Sequence, residues 1–475
     1  ASVELAETSG YGAEVWMNKI HIGMDNLHPS VYLCSETQER FMWVCPPEIT
    51  PLILDHYNKV FDLPGVSTGA RASVIGKIRN DGQYIVHSGD EEIVNAKAKE
   101  VTEGFLYDRP FEAWETNFVE PNLPEPTDYN QVLLDILSHE NMASREPIFE
   151  QYDKQVQGRI HTETGLADSG VMVPFNSEKY PEEIRNVGLA LSTDHNPRHG
   201  LISPYWGGVN AVVESMRNVA AVGATPHALS DCLCFGNPEK PHQMWEFVES
   251  VRGVADACHA ITLKDHPDHA TPIIAGNVSF YNESKSGAIP PSPIVSCLGR
   301  LKDANKMVPA HFQKSDSVLF MIGDRKNELG GSVYYSLFDE LGANVPKPNF
   351  EEVKNQIFAL TDCIDDKLVL SCHDISDGGI ASALAEMTFG NGIGCGVNIE
   401  SDLSADKFLF SETGGFILEV RSENLDGIKS VFSNVGLDVF EIGSTGGQSI
   451  EINSVVGLAV NEAKEAWTNG LRYIL

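Results

Sequence analysis

The strongest constraint on this chain is a short phrase that it contains twice. Ser35-Glu36-Thr37 stands in "YLCSETQERFMWV" (32–44), and Ser411-Glu412-Thr413 in "FLFSETGGFILEV" (408–420), each between apolar runs. Upstream, "ASVELAETSGYGAEVWMNKI" (1–20) resembles "ASALAEMTFGNGIGCGVNI" (381–399): a helix with Leu and Ala on one face, then Gly, then a β-rich run. Downstream, "ASVIGKI" (72–78) resembles "VFEIGST" (439–445), a strand closing on Gly76 or Gly443. Three matched features in one order are the signature of an internal repeat. On this reading the triplet marks the same strand in both copies.

The second copy is the longer one. Residue 381 is preceded by "LVLSCHDISDGG" and by a whole further domain, whereas Ala1 opens directly into a helical pattern with no cap before it. The expectation is a first repeat incomplete at its start, followed by a complete second. Residues 1–106 then form the C-terminal domain of repeat one and 107–135 a linker. Residues 136–312 form the N-terminal domain of repeat two, and 313–475 its C-terminal domain. The linker reading rests on four prolines and many acids in "YDRPFEAWETNFVEPNLPEPTDYN" (107–130), a composition expected to be extended and only partly packed.

Composition narrows the function. Lys plus Arg number 34 against 67 Asp plus Glu, a net charge of −33. That acidity argues against a nucleic-acid partner, which needs clustered cations. It leaves room for nucleotides held by backbone N–H groups and Mg²⁺. No apolar run is long enough for a membrane span, and the first residues lack a signal peptide's basic start and apolar block. The nine cysteines are scattered without a CxxC, as expected for reduced thiols of a cytoplasmic protein. Cys232 and Cys234 would point the same way from a strand, but no further ligands stand at zinc spacing.

Four stretches carry candidate chemistry. "YWGGVNAVVESMRNVAAVGATP" (205–226) reads as a helix that starts after its Gly pair, with Val209, Val212, Val213, Met216, Val219 and Ala220 on one face. Asn210, Glu214 and Arg217 fall on the other. Asp231 sits in the strand that follows. An acid there needs a partner, either a charged ligand or metal, or a structural hydrogen bond. In "TPIIAGNVSFYNES" (271–284), Gly276 permits close approach to a phosphate and Asn277 offers an oxygen to Mg²⁺, although Gly-Asn also makes ordinary turns. In "CHDISDGGIASALAEM" (372–387), Gly378-Gly379 opens a helix that suits an anion, and Asp374 and Asp377 could hold its cation; Asp377 could equally be the N-cap. Two patterns read as decoys. "VIGKI" around Lys77 is no P-loop, because Arg71 and Ile78 break the motif. "DHPDH" (265–269) reads as a polar insertion loop. His195, beside Asn196-Pro197, invites a catalytic role.

Taken together, "CSETQERF", "FEQYDKQVQ", "STDHNPR", "MRNVAAVGATP", "DCLCFGNPEKPHQMWEFVESVRGVADAC", "AGNVSFYNES", "HDISDGGIASALAEM" and "FSETGGF" resemble phosphoribosylformylglycinamidine synthase, in the form without a fused glutaminase. The resemblance covers nearly the whole chain. It implies an α+β fold, a tandem repeat of the aminoimidazole-ribonucleotide-synthetase type with the first repeat truncated, whose two N-terminal domains pair into a central barrel. It implies a ligase that joins formylglycinamide ribonucleotide, ammonia and ATP into the amidine, with ATP phosphorylating the amide oxygen and Mg²⁺ assisting.

Carried over by residue, the resemblance assigns Glu36, Thr37, Gln38 and Ser279 to substrate, Asp231 and Gly276 to ATP, and Asn277 to Mg²⁺. It makes Asp374, Asp377, Gly378 and Gly379 an auxiliary nucleotide site. The family's catalytic histidines lie in the first N-terminal domain, so the resemblance places no catalytic residue in this chain, and His195 holds only the pseudo-equivalent position. It implies several partners: the missing N-terminal half, a separate glutaminase subunit and a small bridging subunit. The isolated chain is then expected to be inactive. The competing reading is a non-catalytic nucleotide-binding assembly subunit. Selenophosphate synthetase or thiamine-phosphate kinase is disfavoured by the duplication and by "FGNPEKPHQMW".

Overall fold

The computed structural model describes residues 2–24, 26–35, 40–104, 107–114 and 117–475, which fall into two units, 1–108 and 109–475. In the first unit, β1 (Gly12–Trp16), β2 (Gly76–Arg79), β3 (Gln83–Ser88) and β4 (Glu91–Lys97) form a sheet of order β2-β1-β3-β4. Helix Ser2–Glu7 leads into β1 and helix Ala98–Glu103 follows β4. Ala6, Ala13, Val15, Met17, Tyr84, Val86 and Ala98 make its small core.

The second unit holds two larger sheets. β5 (Gly170–Met172), β6 (Gly188–Asp194), β7 (Thr225–Cys234), the hairpin β8 (Thr262–Leu263) and β9 (His266–Ala270), β10 (Ile273–Ser279), the hairpin β11 (Glu283–Ser284) and β12 (Gly287–Ala288), and β13 (Ser292–Leu301) follow in chain order; the five-stranded sheet runs β10-β7-β13-β6-β5. β14 (Val318–Ile322), β15 (Val369–Ile375), β16 (Cys395–Val397), β17 (Gly415–Val420), β18 (Val439–Thr445), β19 (Ser449–Ile452) and β20 (Val456–Ala459) form a second sheet of order β15-β17-β14-β18-β16-β19-β20. The "DHPDH" stretch thus belongs to the turn and second strand of a short hairpin rather than to an open loop.

The repeat is visible in strand order and direction. β18-β16-β19-β20 retraces β2-β1-β3-β4, with the middle pair parallel and the outer pairs antiparallel in each. The matched glycines share one cause. A Cβ on Gly76 would lie 2.3 Å from Glu14 O, and one on Gly443 2.1 Å from Gly396 O, so neither strand could approach its neighbour with a side chain there. Gly76 nevertheless opens its strand, and Gly443 lies within one. The triplet also differs from expectation. Ser35 ends helix Pro29–Cys34 and Ser411 ends helix Ala405–Phe410, while β17 begins only at Gly415. It marks a helix end, because short apolar flanks such as "FLF" do not by themselves separate helix from strand.

Helix Pro204–Ala221 begins before its glycine pair. Ser203 caps it by accepting the Trp206 N–H, and Pro204 takes the first position, where no N–H is needed. Gly207 and Gly208 lie inside because this helix packs closely on two others: a Cβ on Gly207 would lie 2.8 Å from Gly200 Cα in helix Pro197–Ile202, and Gly208 faces helix Pro241–Ala260. A Cβ on Gly208 would meet Ser250 O at 2.3 Å, and one on Gly253 would meet Tyr205 O at 2.1 Å. The apolar face is fully buried and joins a core shared with helix Phe350–Asp365.

Residues 107–114 and 117–128 form neither helix nor strand, yet Glu120 is fixed: its carboxylate accepts Ala343 N–H, Asn344 N–H and Tyr335 O–H. Helix Tyr129–Ser138 starts within the stretch read as linker, capped by Asp128, and buries Leu133, Ile136 and Leu137 under the second sheet. Among the described residues, no helix is long and apolar enough to cross a membrane.

Candidate functional site

A buried acidic pocket forms where β6, helix Pro204–Ala221 and the start of helix Gly379–Thr388 converge. β6 ends on Asp194, and its alternation puts Ala190 and Ser192 into the core. Asn196 then caps helix Pro197–Ile202, accepting Arg198 N–H at 3.0 Å. From helix Pro204–Ala221 come Glu214, Arg217 and Asn218, one polar stripe at helical spacing. Asn218 donates to Asp194 at 3.2 Å, and Arg217 stands 3.7 Å from both Glu214 and Asp374. β15 supplies Asp374, and the turn after it supplies Asp377, whose carboxylate accepts from Asn196 at 3.4 Å.

The helix start is already occupied by an acceptor, the carboxyl group of the protein's own Glu412. Its Oε1 accepts Gly378 N–H at 3.0 Å and Val333 N–H at 2.8 Å. Gly378, at φ +73°, is the N-cap residue, so Asp377 does not cap this helix. Gly379, at φ +68°, leaves no room for a side chain, since a Cβ would lie 2.5 Å from Leu409 O. Arg325 donates to the carbonyls of Ser411 and Thr413, and Glu328 accepts the Thr413 hydroxyl at 2.7 Å.

Burial dominates the electrostatics of this pocket. It pushes Asp374, Asp377 and Glu412 up to about 7, helped at Asp374 by Asp168 and at Asp377 by Glu412. Asp194 and Glu214 are raised well above the carboxylate range, first by burial and then by neighbouring acids. His195 and His199 are lowered to about 4 by burial, so both are neutral at pH 7. Neither nitrogen of His195 has a hydrogen-bond partner among the described residues, and the same holds for Arg217 Nε, Asp374 Oδ2 and Glu412 Oε2. Orphaned acid oxygens beside raised carboxyls are what a divalent cation would satisfy. Asp374 Oδ2 stands 3.7 Å from Arg217 Nε and Glu412 Oε2 3.7 Å from His199 Nε2, and among the described residues only Asp168, His373 and Asp374 bring three acid or imidazole donor atoms within 4.8 Å of one another.

Asp231, Gly276, Asn277 and Ser279, assigned to ATP, Mg²⁺ and substrate, lie together on neighbouring strands of the sheet that carries Asp194; Asp231 and Asp194 both pair with Val295 of the strand between them. Gly276 pairs with Asp231 and Asn277 with Cys232 across parallel strands β10 and β7, and Ser279 pairs with Cys234. The space left by Gly276 is taken by Asp231, whose Oδ1 would be 2.4 Å from a Cβ there. Burial raises the Asp231 carboxyl, opposed by the Asn277 N–H. Ser279 Oγ lies 3.3 Å from Asn282 Oδ1. Glu36, Thr37 and Gln38 lie outside the described residues. Cys232 and Cys234 have their sulfurs 3.8 Å apart.

Residues 169–301 match the family described as AIR synthase related protein, N-terminal domain, and residues 314–453 match its C-terminal domain. Phosphoribosylformylglycinamidine synthase subunit PurL of Methanothrix thermoacetophila is 43% identical over 479 residues, which is 99% of this chain and 61% of the relative. The chain belongs to the AIR synthase related family. A subunit of the same name from Methanocaldococcus jannaschii is 34% identical over 98% of this chain and 62% of its own length. Among solved structures, PurL of Thermotoga maritima complexed with ATP has a TM-score of 0.60 at 19% identity, covering 94% of this chain and 61% of that one. The same protein complexed with FGAR gives 0.58 at 18%, covering 94% and 60%. The chain thus spans about three fifths of the relatives it matches. These likenesses bear out the resemblance drawn from the sequence and the α+β architecture built from family repeats.

Several pocket residues escaped sequence reading. Glu214 and Arg217 were legible only as a polar helix face, which normally means solvent. Asp194 stood in "STDHNPR", where only His195 drew a role, while Arg325 and Glu328 and, beside the pocket, Asp168 carried no local signal. Glu412 was visible as half of the repeat, but its role depends on residues 333 and 378 arriving from elsewhere in the chain.

Proposed function

We propose that this chain is a partial synthetase, the C-terminal domain of a first repeat followed by a second repeat, of an ATP-dependent ligase of purine biosynthesis that converts formylglycinamide ribonucleotide and ammonia to the amidine. The collinear similarity to PurL subunits, 43% identity over 99% of the chain, carries this reading. ATP would phosphorylate the amide oxygen with release of ADP. Ammonia then attacks the activated carbon, and phosphate leaves with that oxygen. Asp231 and Gly276 would serve ATP, Asn277 the Mg²⁺, and Ser279 with Glu36, Thr37 and Gln38 the substrate. Mg²⁺ supplies charge neutralisation for the transferring phosphoryl group.

The acidic pocket is proposed as an auxiliary nucleotide site. Asp374 and Asp377, with Asp194, Glu214 and Asn218 around them, would hold the cations that accompany a bound nucleotide. Because Gly378 N–H is already satisfied by Glu412, the phosphates would be held through the cation and Arg217 rather than by that helix start. Other proposed parts follow from the same reading. The domain division is at 106, 135 and 312, and the protein acts in the cytoplasm. A first-repeat N-terminal domain, supplied from outside this chain, is a further partner on this reading. Ammonia arrives from a glutaminase subunit docked with a small bridging subunit; a solved structure of Thermotoga maritima is named PurLQS. An assay of the chain with ATP, Mg²⁺, formylglycinamide ribonucleotide and ammonium tests this reading. No amidine is expected from the chain alone, whereas adding the remaining part of a relative's PurL restores it. Turnover by the chain alone would overturn the view that essential groups lie outside it. Failure of every complemented mixture would favour the non-catalytic assembly role.

A further inference from the structure

Next to the acidic pocket lies a second cluster with different chemistry. Oxygen atoms of Asp168 and Asp374 and a ring nitrogen of His373 all lie within 4.8 Å of one another. Asp168 arrives from the segment before β5, while His373 and Asp374 arrive at the end of β15, so the cluster joins two parts of the fold distant in sequence. His373 Nδ1 is 2.7 Å from Asp168 Oδ1 and 3.9 Å from Asp374 Oδ1. The nitrogen is buried, yet it is not aligned with either oxygen as a hydrogen bond. The Asp168 side chain is only 3% exposed. All three donor atoms therefore converge on one small volume, with the 2.7 Å His373–Asp168 pair at its centre.

The surroundings resemble the outer shell of a metal centre. The other ring nitrogen of His373, Nε2, is 3.2 Å from Glu386 Oε2, which would fix the ring with Nδ1 free to ligate. Asp168 Oδ2 accepts the Asp374 N–H at 2.9 Å, which orients Oδ1 toward the cluster. Three carboxylates (Asp168, Asp374, Glu386) face one imidazole and one guanidinium, that of Arg217 at 3.7 Å from Asp374. A dication beside a neutral imidazole would bring that set to neutrality. An imidazole donor favours zinc, cobalt or manganese over magnesium, which prefers oxygen alone.

We propose that Asp168, His373 and Asp374 form a binding site for a transition-metal dication, oriented by Glu386 and occupied without nucleotide. The site shares Asp374 with the acidic pocket but takes its other two ligands from outside it. The bound ion would tie the segment before β5 to the end of β15. The alternative occupant is a proton: an imidazolium held between Asp168 and Glu386.

The test uses the full chain, stripped with chelator and titrated with Co²⁺ in the absence of nucleotide, followed by visible absorption and by competition with Zn²⁺. One equivalent of Co²⁺ should produce a ligand-field band that Zn²⁺ abolishes. His373→Ala should remove it, and Glu386→Gln should weaken Co²⁺ binding about 10–100-fold. Binding of Mg²⁺-nucleotide should survive Glu386→Gln, which separates this site from the auxiliary nucleotide site. Should His373→Ala not fold, Glu386→Gln and Asp168→Asn carry the same comparison. No cobalt band in the wild type, or an unchanged band in these variants, overturns the proposal in favour of the imidazolium.

Discussion

Replacing Glu412 tests whether one carboxylate organises the heart of the second unit. The residue is 4% exposed, and its Oε1 accepts N–H groups from the starts of two helices, at Val333 and Gly378. Glu412→Ala leaves both buried donors unsatisfied. At about 1–3 kcal/mol for each orphaned donor, the expected loss is about 2–6 kcal/mol. Glu412→Gln keeps an acceptor at Oε1 and the same volume, so its loss near pH 6 should be below about 1 kcal/mol. Thermal unfolding by circular dichroism reads both. For a unit the size of 109–475, a loss of about 4 kcal/mol lowers the Tm by roughly 5 °C. A pH series adds a second signature. The Glu412 carboxyl is raised from 4.5 to about 7, first by burial, so its protonated form contributes stability below about pH 4.5 that is lost as pH rises through about 7. Gln does not titrate, so the wild type's advantage over it should shrink between pH 5 and 8. If the Ala variant lost under about 1 kcal/mol, or Gln lost as much as Ala, the two-helix acceptor role would be wrong.

Two further outcomes follow from backbone geometry. Gly253→Ala would place a Cβ 2.1 Å from Tyr205 O, between two helices that cannot yield separately, and should cost about 2–4 kcal/mol in urea unfolding. Gly457→Ala, where nothing lies within 4 Å, should stay within about 0.5 kcal/mol, and equal losses at the two positions would discredit the close-packing account. Glu120→Ala removes the acceptor of Ala343 N–H, Asn344 N–H and Tyr335 O–H, so residues 107–128 should be cut markedly faster by a dilute protease. Unchanged cleavage would mean that the segment is held by other contacts.

The repeat was legible because its constraints are local. Gly76 and Gly443 stand where a neighbouring backbone passes too close for a Cβ, and the pattern of apolar residues around them sets strand order in each copy. Helix Pro204–Ala221 was legible for the same reason, since its apolar face repeats every three to four residues. Its start was misplaced because glycines read as punctuation. Here they are contact points for two neighbouring helices, and the actual start is signalled by Ser203-Pro204. The pocket was less legible because it is built from long-range encounters. Glu214 and Arg217 look like a solvated face until β15 covers them with Asp374. A sequence shows that a residue is polar, but not whether its neighbour will be water or another acid.

The Ser-Glu-Thr pair shows how far such a likeness carries. In the second copy, every member has a structural partner: Ser411 O and Thr413 O accept from Arg325, Glu412 takes two helix starts, and the Thr413 hydroxyl binds Glu328. Those partners come from residues 325–333 and 378, which precede the triplet within its own repeat. A shared triplet therefore need not mean a shared ligand. In copy two its acid is spent on the fold, holding the helix start that would otherwise be free for an anion. An acid at the corresponding point of copy one could serve a substrate only if that helix start were satisfied in another way. Glu412→Ala should therefore cost stability, which places the second copy of the phrase on the link from sequence to fold, whatever its first copy does.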